Sequence, residues 1–201
     1  NLLNTYTPAY VWVPVEEGNR FEYEKLYENY GYSLLKTGNE IYPLNDKLQL
    51  CMTTSGSTGS PKLVRYKKGN LEANAKNVAV AFGWTADERA ICDLGMQYTM
   101  GLNVINTHLY VGATVLLTTY NIMSAEFWGY IKKERGINIT GVPFSYDIFY
   151  RLHFDRMDLP DLHTLAQGGG KLTDARFKQL AEYAEKTGKR FIASFGTTET
   201  S

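Results

Sequence analysis

The sequence predicts an α/β fold, a layered and largely parallel sheet flanked by helices. Two observations carry this. From Ala90 onward, short apolar runs and amphipathic segments alternate about four times, the signature of parallel strands joined by helical crossovers. Start and stop residues also bracket the amphipathic segments. Ser124 and Thr173 precede two of them, and Gly112, Gly136 and Gly188 follow three.

Taken in order, Tyr10-Val11-Trp12-Val13-Pro14 reads as a strand. An aromatic and charged stretch follows, through Phe21, Tyr23 and Tyr27 to residues 32–36 and 41–43. Its pairing is left open by the sequence. Leu48-Gln49-Leu50-Cys51-Met52 reads as a buried strand and Leu63-Val64-Arg65-Tyr66 as a second one. Asn70 is placed to cap a helix with Leu71, Ala75, Val78 and Phe82 on one face. Strands are expected at residues 90–94, 113–117, 137–142, 162–166 and 190–194. Helices are expected between them. One runs from Gly101 to Val111 with Leu102, Ile105 and Leu109 inward. One is capped by Ser124 and buries Phe127, Tyr130 and Ile131. One starts at Pro143, with Ile148 and Leu152 on its apolar face. The last is capped by Thr173 and buries Phe177, Leu180 and Ala184. No linker composition and no internal repeat interrupts the chain, so one domain is expected.

Composition excludes several classes. There are 21 basic and 21 acidic residues, giving a formal net charge of zero without a basic run, which argues against a nucleic-acid groove. No apolar run approaches the roughly 20 residues of a membrane span, and no signal pattern is visible. Cys51 and Cys92 both lie in apolar segments, so free buried thiols in a reducing, cytoplasmic compartment are expected. His108, His153 and His163 lack metal-ligand spacing and read as structural or surface residues.

Between the strands at 48–52 and 63–66 lies Thr53-Thr54-Ser55-Gly56-Ser57-Thr58-Gly59-Ser60-Pro61-Lys62. Glycine allows such a loop to turn several N–H groups inward. Converging N–H groups and hydroxyls make an anion cradle, and Lys62 adds a full charge. A plain Ser/Gly turn has the same composition. The common nucleotide loop G-x-x-x-x-G-K-[ST] does not fit, because from Gly56 it would need Gly at Pro61 and Ser or Thr at Leu63.

The run from Thr54 to Lys62 does resemble the signature of the adenylate-forming, AMP-binding superfamily, in its acyl-CoA synthetase-like form. Ser55-Gly56-Ser57-Thr58-Gly59 with Pro61-Lys62 agrees at each restricted position, and Leu63 departs from a common Gly. Phe195-Gly196-Thr197-Thr198-Glu199 resembles the family's Tyr-Gly-x-Thr-Glu, with Phe195 keeping a stacking face. Gln167-Gly168-Gly169-Gly170-Lys171-Leu172 resembles the Gly-Gly segment that lies along the adenine, and reads equally as a strand-to-helix turn. Residues 96–101 resemble the segment beside the carboxylate substrate, and Gly141-Val142-Pro143 with Tyr146 the acyl side. Tyr146 and Phe149 read equally as core residues.

The resemblance implies ATP-dependent activation of a carboxylic acid to an acyl-adenylate, release of pyrophosphate, and transfer to a thiol such as CoA. It implies ATP and Mg²⁺ as cofactors and a carboxylic acid and CoA, or a carrier-protein thiol, as partners. It assigns the phosphates to Thr54, Ser55, Gly56, Ser57, Thr58, Gly59 and Lys62. The adenine goes to Gly168, Gly169, Gly170 and Phe195, with Gly196 permitting close approach and Thr197 counted among the cofactor-binding residues. The α-phosphate goes to Thr198 and the metal to Glu199, while Lys62, Thr198 and Glu199 form the catalytic set. Tyr98, Thr99, Gly101 and Tyr146 are placed at the acyl side. Counting back from Gly112, Thr99 falls where amino-acid-activating members carry an Asp that pairs with the substrate ammonium, which favours a plain carboxylic acid. An amino-acid adenylation domain and a non-catalytic nucleotide-binding module are the alternatives. Family members continue past the Glu199 motif through a ribose-binding motif, an Arg and a mobile C-terminal lid domain. On that comparison residues 1–201 are a partial adenylation core, expected to be inactive alone.

Overall fold

The computed structural model describes residues 2–54 and 62–200. They form two compact units. One takes the chain as far as Leu48, together with Lys62; the other takes Gln49–Thr54 and the residues from Leu63 on.

The first unit opens with a short helix α1 (Leu2–Tyr6) and a strand β1 (Tyr10–Pro14), as expected, followed by α2 (Val15–Gly18). Strands β2 (Glu24–Asn29) and β3 (Tyr32–Lys36) answer the question that the sequence leaves open for this stretch. They make a separate antiparallel sheet of order β1-β3-β2. Tyr30 and Gly31 both have positive φ, of 51° and 75°, and so make the tight turn that joins β2 to β3. One sheet face buries Ser33 and Leu35. The other exposes Tyr10, Trp12, Tyr27 and Tyr32, with Trp12 stacked on both Tyr27 and Tyr32.

Strand β4 (Leu48–Thr53), which lies in the second unit from Gln49 on, pairs with β5 (Leu63–Lys67). Helix α3 (Asn70–Phe82) follows. Its cap differs from the expectation. Gly69, at φ 88°, makes the sharp entry that only glycine adopts cheaply, and the Asn70 side chain instead accepts the Lys67 N–H at 2.8 Å.

The remainder is β6 (Arg89–Cys92), α4 (Thr99–Tyr110), β7 (Thr114–Leu117), α5 (Ala125–Lys133), β8 (Asn138–Gly141), α6 (Pro143–Arg151), β9 (Thr164–Gln167), α7 (Asp174–Thr187) and β10 (Arg190–Ala193). The five strands are all parallel, in the order β10-β9-β8-β6-β7. The α/β expectation therefore holds. Ser124 and Thr173 cap α5 and α7 by accepting the N–H groups of Phe127 and Arg176, and Pro143 opens α6.

Alternate strand residues feed opposite faces of this sheet. Ile91, Leu116, Ile139 and Leu165 pack with Phe127, Trp128, Ile131, Tyr146, Phe149 and Leu180 of α5, α6 and α7. Ala90 and Cys92 meet Val104 of α4, and Ala166 meets Ala79 and Trp84. The bulky face holds three helices. The small-residue face admits a close approach by α3 and α4.

Helix α4 corrects an expected face. Gly101, Val104, Thr107 and His108 are buried, whereas Leu109 is exposed. The helix begins at Thr99, and a polar ring is tolerated inside because both its nitrogens are satisfied. His108 Nδ1 donates to the Val104 carbonyl at 2.8 Å, and Nε2 accepts from Asn138 Nδ2 at 3.1 Å. Asn138 also donates to Glu88 at 2.6 Å. Burial holds this imidazole below its usual range, so it is the neutral, structural histidine that the sequence suggests.

Both cysteines are free; Cys92 is buried and Cys51 only half-buried. Burial, and after it Asp93, push the Cys92 thiol up to about 11. At pH 8 roughly a thousandth of it is then thiolate. Iodoacetamide at pH 8 is expected to label Cys51 first, with Cys92 reacting only after unfolding. Peptide mass spectrometry along a time course reads this, and equal labelling of the native protein would contradict the burial of Cys92.

Candidate functional site

In the parallel sheet the chain leaves β6 toward β7 on one side and later continues from β8 toward β10 on the other. The crevice outside the carboxyl ends is where such sheets bind ligands. Among the segments that leave those ends are residues 93–98, 142–143, 168–173 and 194–200.

Two of them enclose a cleft of about 480 Å³. Gly169 and Gly170 form one side, and Ser194, Phe195 and Gly196 the other. Phe195 is 94% exposed, so its ring is a free flat face rather than a core side chain. Gly169 has φ 74°, a conformation that L side chains rarely adopt. Gly168 lies behind the cleft, where an added Cβ would stand 2.0 Å from Met100 Cε. The glycine run thus makes the strand-to-helix turn, and Gly169 and Gly170 give the cleft one bare side. Gln167, buried beneath it, fixes the turn by donating from Nε2 to the carbonyls of Gly168 and Gly170 at 3.0 and 2.7 Å. Ser194 Oγ donates to the Gln167 carbonyl at 2.8 Å and ties the two walls together.

Outside the motifs quoted from the sequence, Asp174, Phe177, Ala193 and Ser194 also line this cleft. Phe177 was expected in the core. It is 47% exposed and packs edge-on against Phe191 of β10 while facing the cleft. Helical spacing alone does not tell a core-facing residue from a rim residue.

The five-residue motif after β10 does not point into one space. Phe195 and Gly196 face the first cleft. Glu199 and Thr200 line a second one of about 230 Å³, with Arg65 of β5 and Asn70, Asn74 and Asn77 of α3. Thr198–Thr200 form a single 3₁₀ turn, and the Thr198 carbonyl accepts the Tyr66 hydroxyl. Thr197 is exposed and bonded to Thr200 within that turn.

The remaining assigned residues are dispersed. Ser55, Gly56, Ser57, Thr58 and Gly59, with Ser60 and Pro61, lie outside the described residues. Thr54 directly follows β4 and is half-buried, and Lys62 directly precedes β5 with an exposed side chain. Tyr98 is 67% exposed at the start of α4. Thr99 lines a crevice of about 10 Å³ with Met52, Tyr66 and Leu71. Gly101 is packed so tightly that a Cβ would stand 2.4 Å from the Gly95 carbonyl oxygen. Tyr146 is fully buried and its hydroxyl donates to the Ala166 carbonyl at 2.7 Å, the core alternative of the sequence reading. Asp93, just past β6, was not singled out by sequence; burial holds its carboxyl above the usual range.

Among the described residues no group of three or more His, Cys, Asp or Glu could form a metal cage. Glu199 offers one exposed carboxylate. That donor set fits Mg²⁺, which keeps several waters and takes one or two carboxylates plus phosphate oxygens. No helix among the described residues is long and apolar enough to cross a membrane.

Comparison with known proteins agrees with this architecture. The family described as AMP-binding enzyme matches residues 9–201. A feruloyl-CoA synthase of Amycolatopsis sp is 31% identical over 160 residues, 77% of this chain and 31% of that protein. The nonribosomal peptide synthetase nlsA of Emericella nidulans is 26% identical over 148 residues, 73% of this chain and 2% of that protein. Among solved structures, the inhibitor-bound N-terminal domain of FACL13 from Mycobacterium tuberculosis superposes with a TM-score of 0.66. It is 21% identical and covers 80% of this chain and 39% of that one, a likeness that bears on the fold. The chain thus spans about a third of the length of the feruloyl-CoA synthase that it matches.

Proposed function

Because the chain belongs to the AMP-binding enzyme family, we propose that the protein carrying it activates a carboxylic acid with ATP. A carboxylate oxygen attacks the α-phosphorus, the bond to the β-phosphate oxygen breaks, and pyrophosphate leaves. A thiol sulfur, that of CoA, then attacks the acyl carbon of the adenylate and AMP leaves. The observation that carries the reading is the cleft between Gly169-Gly170 and Phe195-Gly196, with Glu199 four residues further along the same segment. The name of the feruloyl-CoA synthase relative supports an acid–thiol ligase.

In this reading the adenine lies between the bare backbone of Gly169 and Gly170 and the Phe195 ring, with Gly196 allowing its approach, Gly168 admitting Met100 behind the turn, and Thr197 closing the segment. Thr198 donates to the α-phosphate. Thr54 and the loop from Ser55 to Gly59 donate to the outer phosphates, and Lys62 neutralises them. Glu199 would hold Mg²⁺, whose charge, when bound, offsets that of the phosphates. The protein contributes positioning and fixed charge, which are worth most where water is excluded. Tyr98 and Thr99 sit at the acyl side, while Gly101 and Tyr146 support it through packing. Residues 1–201 are read as a partial adenylation core, and a cytoplasmic location belongs to the same proposal.

An amino-acid-activating domain that loads a carrier protein is the second reading, favoured by the match to the nonribosomal synthetase. Pyrophosphate exchange by the full-length protein separates the two. With neutral Thr99 in place of a carboxylate, fatty or aromatic acids are expected to support exchange and α-amino acids to support little. A clear preference for an α-amino acid would overturn the substrate class. Binding of ATP without exchange on any acid would leave a non-catalytic nucleotide-binding module. The 201 residues alone are expected to give none, because drug-sized ligands are ordinarily about 70–90% enclosed and this cleft leaves Phe195 open.

A further inference from the structure

We propose that Tyr66 is a positioning residue. Its hydroxyl holds the turn Thr198–Thr200, and with it Glu199, against β5, the strand that leaves the Gly/Ser-rich loop. The inference rests on the reading above, in which Glu199 takes the metal, and adds what places that carboxylate.

Tyr66 is the buried member of a strand whose other residues are half-buried or exposed, and it is itself 3% exposed. A buried phenol needs a partner for its hydroxyl. The partner is the Thr198 carbonyl, 132 residues further along the chain. The ring has little freedom to redirect that bond. It lines the crevice of about 10 Å³ shared with Met52, Leu71 and Thr99, and also the cleft of about 230 Å³ that holds Glu199.

Glu199 itself makes no side-chain hydrogen bond or ion pair among the described residues. Its direction is therefore set by the backbone of a three-residue turn, which by itself is a weak support. Fixing the preceding carbonyl fixes the peptide plane from which Glu199 departs. Glu199 then lines the 230 Å³ cleft together with Asn74 and Asn77. Metal ligands on short turns owe their geometry to such outer partners.

The test uses the full-length protein and three variants, Tyr66→Phe, Glu199→Gln and the double variant. Binding of Mn²⁺ in the presence of ATP is measured by electron paramagnetic resonance, and pyrophosphate exchange is titrated with Mg²⁺. Tyr66→Phe keeps the ring and removes only the hydroxyl. It is expected to weaken Mn²⁺ binding about tenfold and to raise the Mg²⁺ needed for half-maximal exchange by a similar factor. Acting only through Glu199, it should add nothing to Glu199→Gln in the double variant. Leu71→Ala loosens the same crevice without touching the hydroxyl, and should lower the melting temperature while leaving Mn²⁺ affinity unchanged. Unchanged metal affinity in Tyr66→Phe, multiplying losses in the double variant, or an equal loss in Leu71→Ala would each overturn the assignment. If Glu199→Gln binds Mn²⁺ as the unaltered protein does, the metal reading fails, and the role of Tyr66 with it.

Discussion

Alanine at Phe127 is expected to lower the unfolding free energy by about 3–5 kcal/mol. Phe127 has no exposed surface. It faces inward from α5, one residue from Trp128, whose ring meets it edge-on at 5.3 Å. It belongs to the cluster that joins Ile91, Leu116 and Ile139 of the sheet to the helices on its bulky face. Removing the ring forfeits both its transfer free energy and the contacts lining the cavity left behind. A domain holds about 5–15 kcal/mol in total, so one such change consumes a large share. The Phe127 N–H is also the donor to the Ser124 cap, and that bond survives the substitution, so the loss reports packing and not helix initiation. Urea unfolding followed by far-ultraviolet circular dichroism measures it. A loss below about 1 kcal/mol would mean that the α5 face is not packed as described.

How far the sequence could be read follows from which physical signals are local. The parallel strands announce themselves as apolar runs, and helix starts at Ser124, Pro143 and Thr173 are marked by residues acting on their own neighbours. Signals that depend on distant partners are not marked. Residue spacing in α4 suggested that Leu109 faces inward. The face was decided instead by the small residues of β6 and by Asn138, thirty positions from His108, which makes a buried imidazole acceptable. Phe177 was misplaced for a similar reason, because it meets the sheet only at Phe191 of the edge strand β10 and is left half open to a cleft.

The candidate site divides in the same way. Gly169, Gly170, Phe195 and Gly196 could be named from two short motifs, and the structure brings them to one cleft. The motif gives Phe195 and Glu199 separate roles, and the backbone turn after Gly196 sends them into two clefts. Tyr66 was invisible, since a tyrosine in an alternating strand carries no signal and its partner lies 132 residues away.

Lysine 62 separates function from stability most sharply. Lys62→Ala in the full-length protein is expected to slow pyrophosphate exchange roughly 10- to 150-fold, the equivalent of about 1.5–3 kcal/mol for a charge-assisted contact. Its side chain is exposed and takes part in no ion pair among the described residues, so its removal opens no cavity and strands no partner. The melting temperature is therefore expected to stay within a degree or two, roughly the scale of a neutral surface change. This inverts the pattern of Phe127→Ala, where stability falls and any loss of activity follows from unfolding. The contrast is informative because Lys62 is the one full positive charge in the run from Thr53 to Lys62. Its hydroxyl and glycine companions can orient a phosphate but cannot neutralise it. Arginine at this position restores charge without restoring the compact ammonium, so partial recovery is expected. Measuring exchange across a range of ATP concentrations shows whether the loss lies in binding or in the chemical step. Unchanged rate and unchanged ATP affinity in Lys62→Ala would remove the loop from the phosphate site.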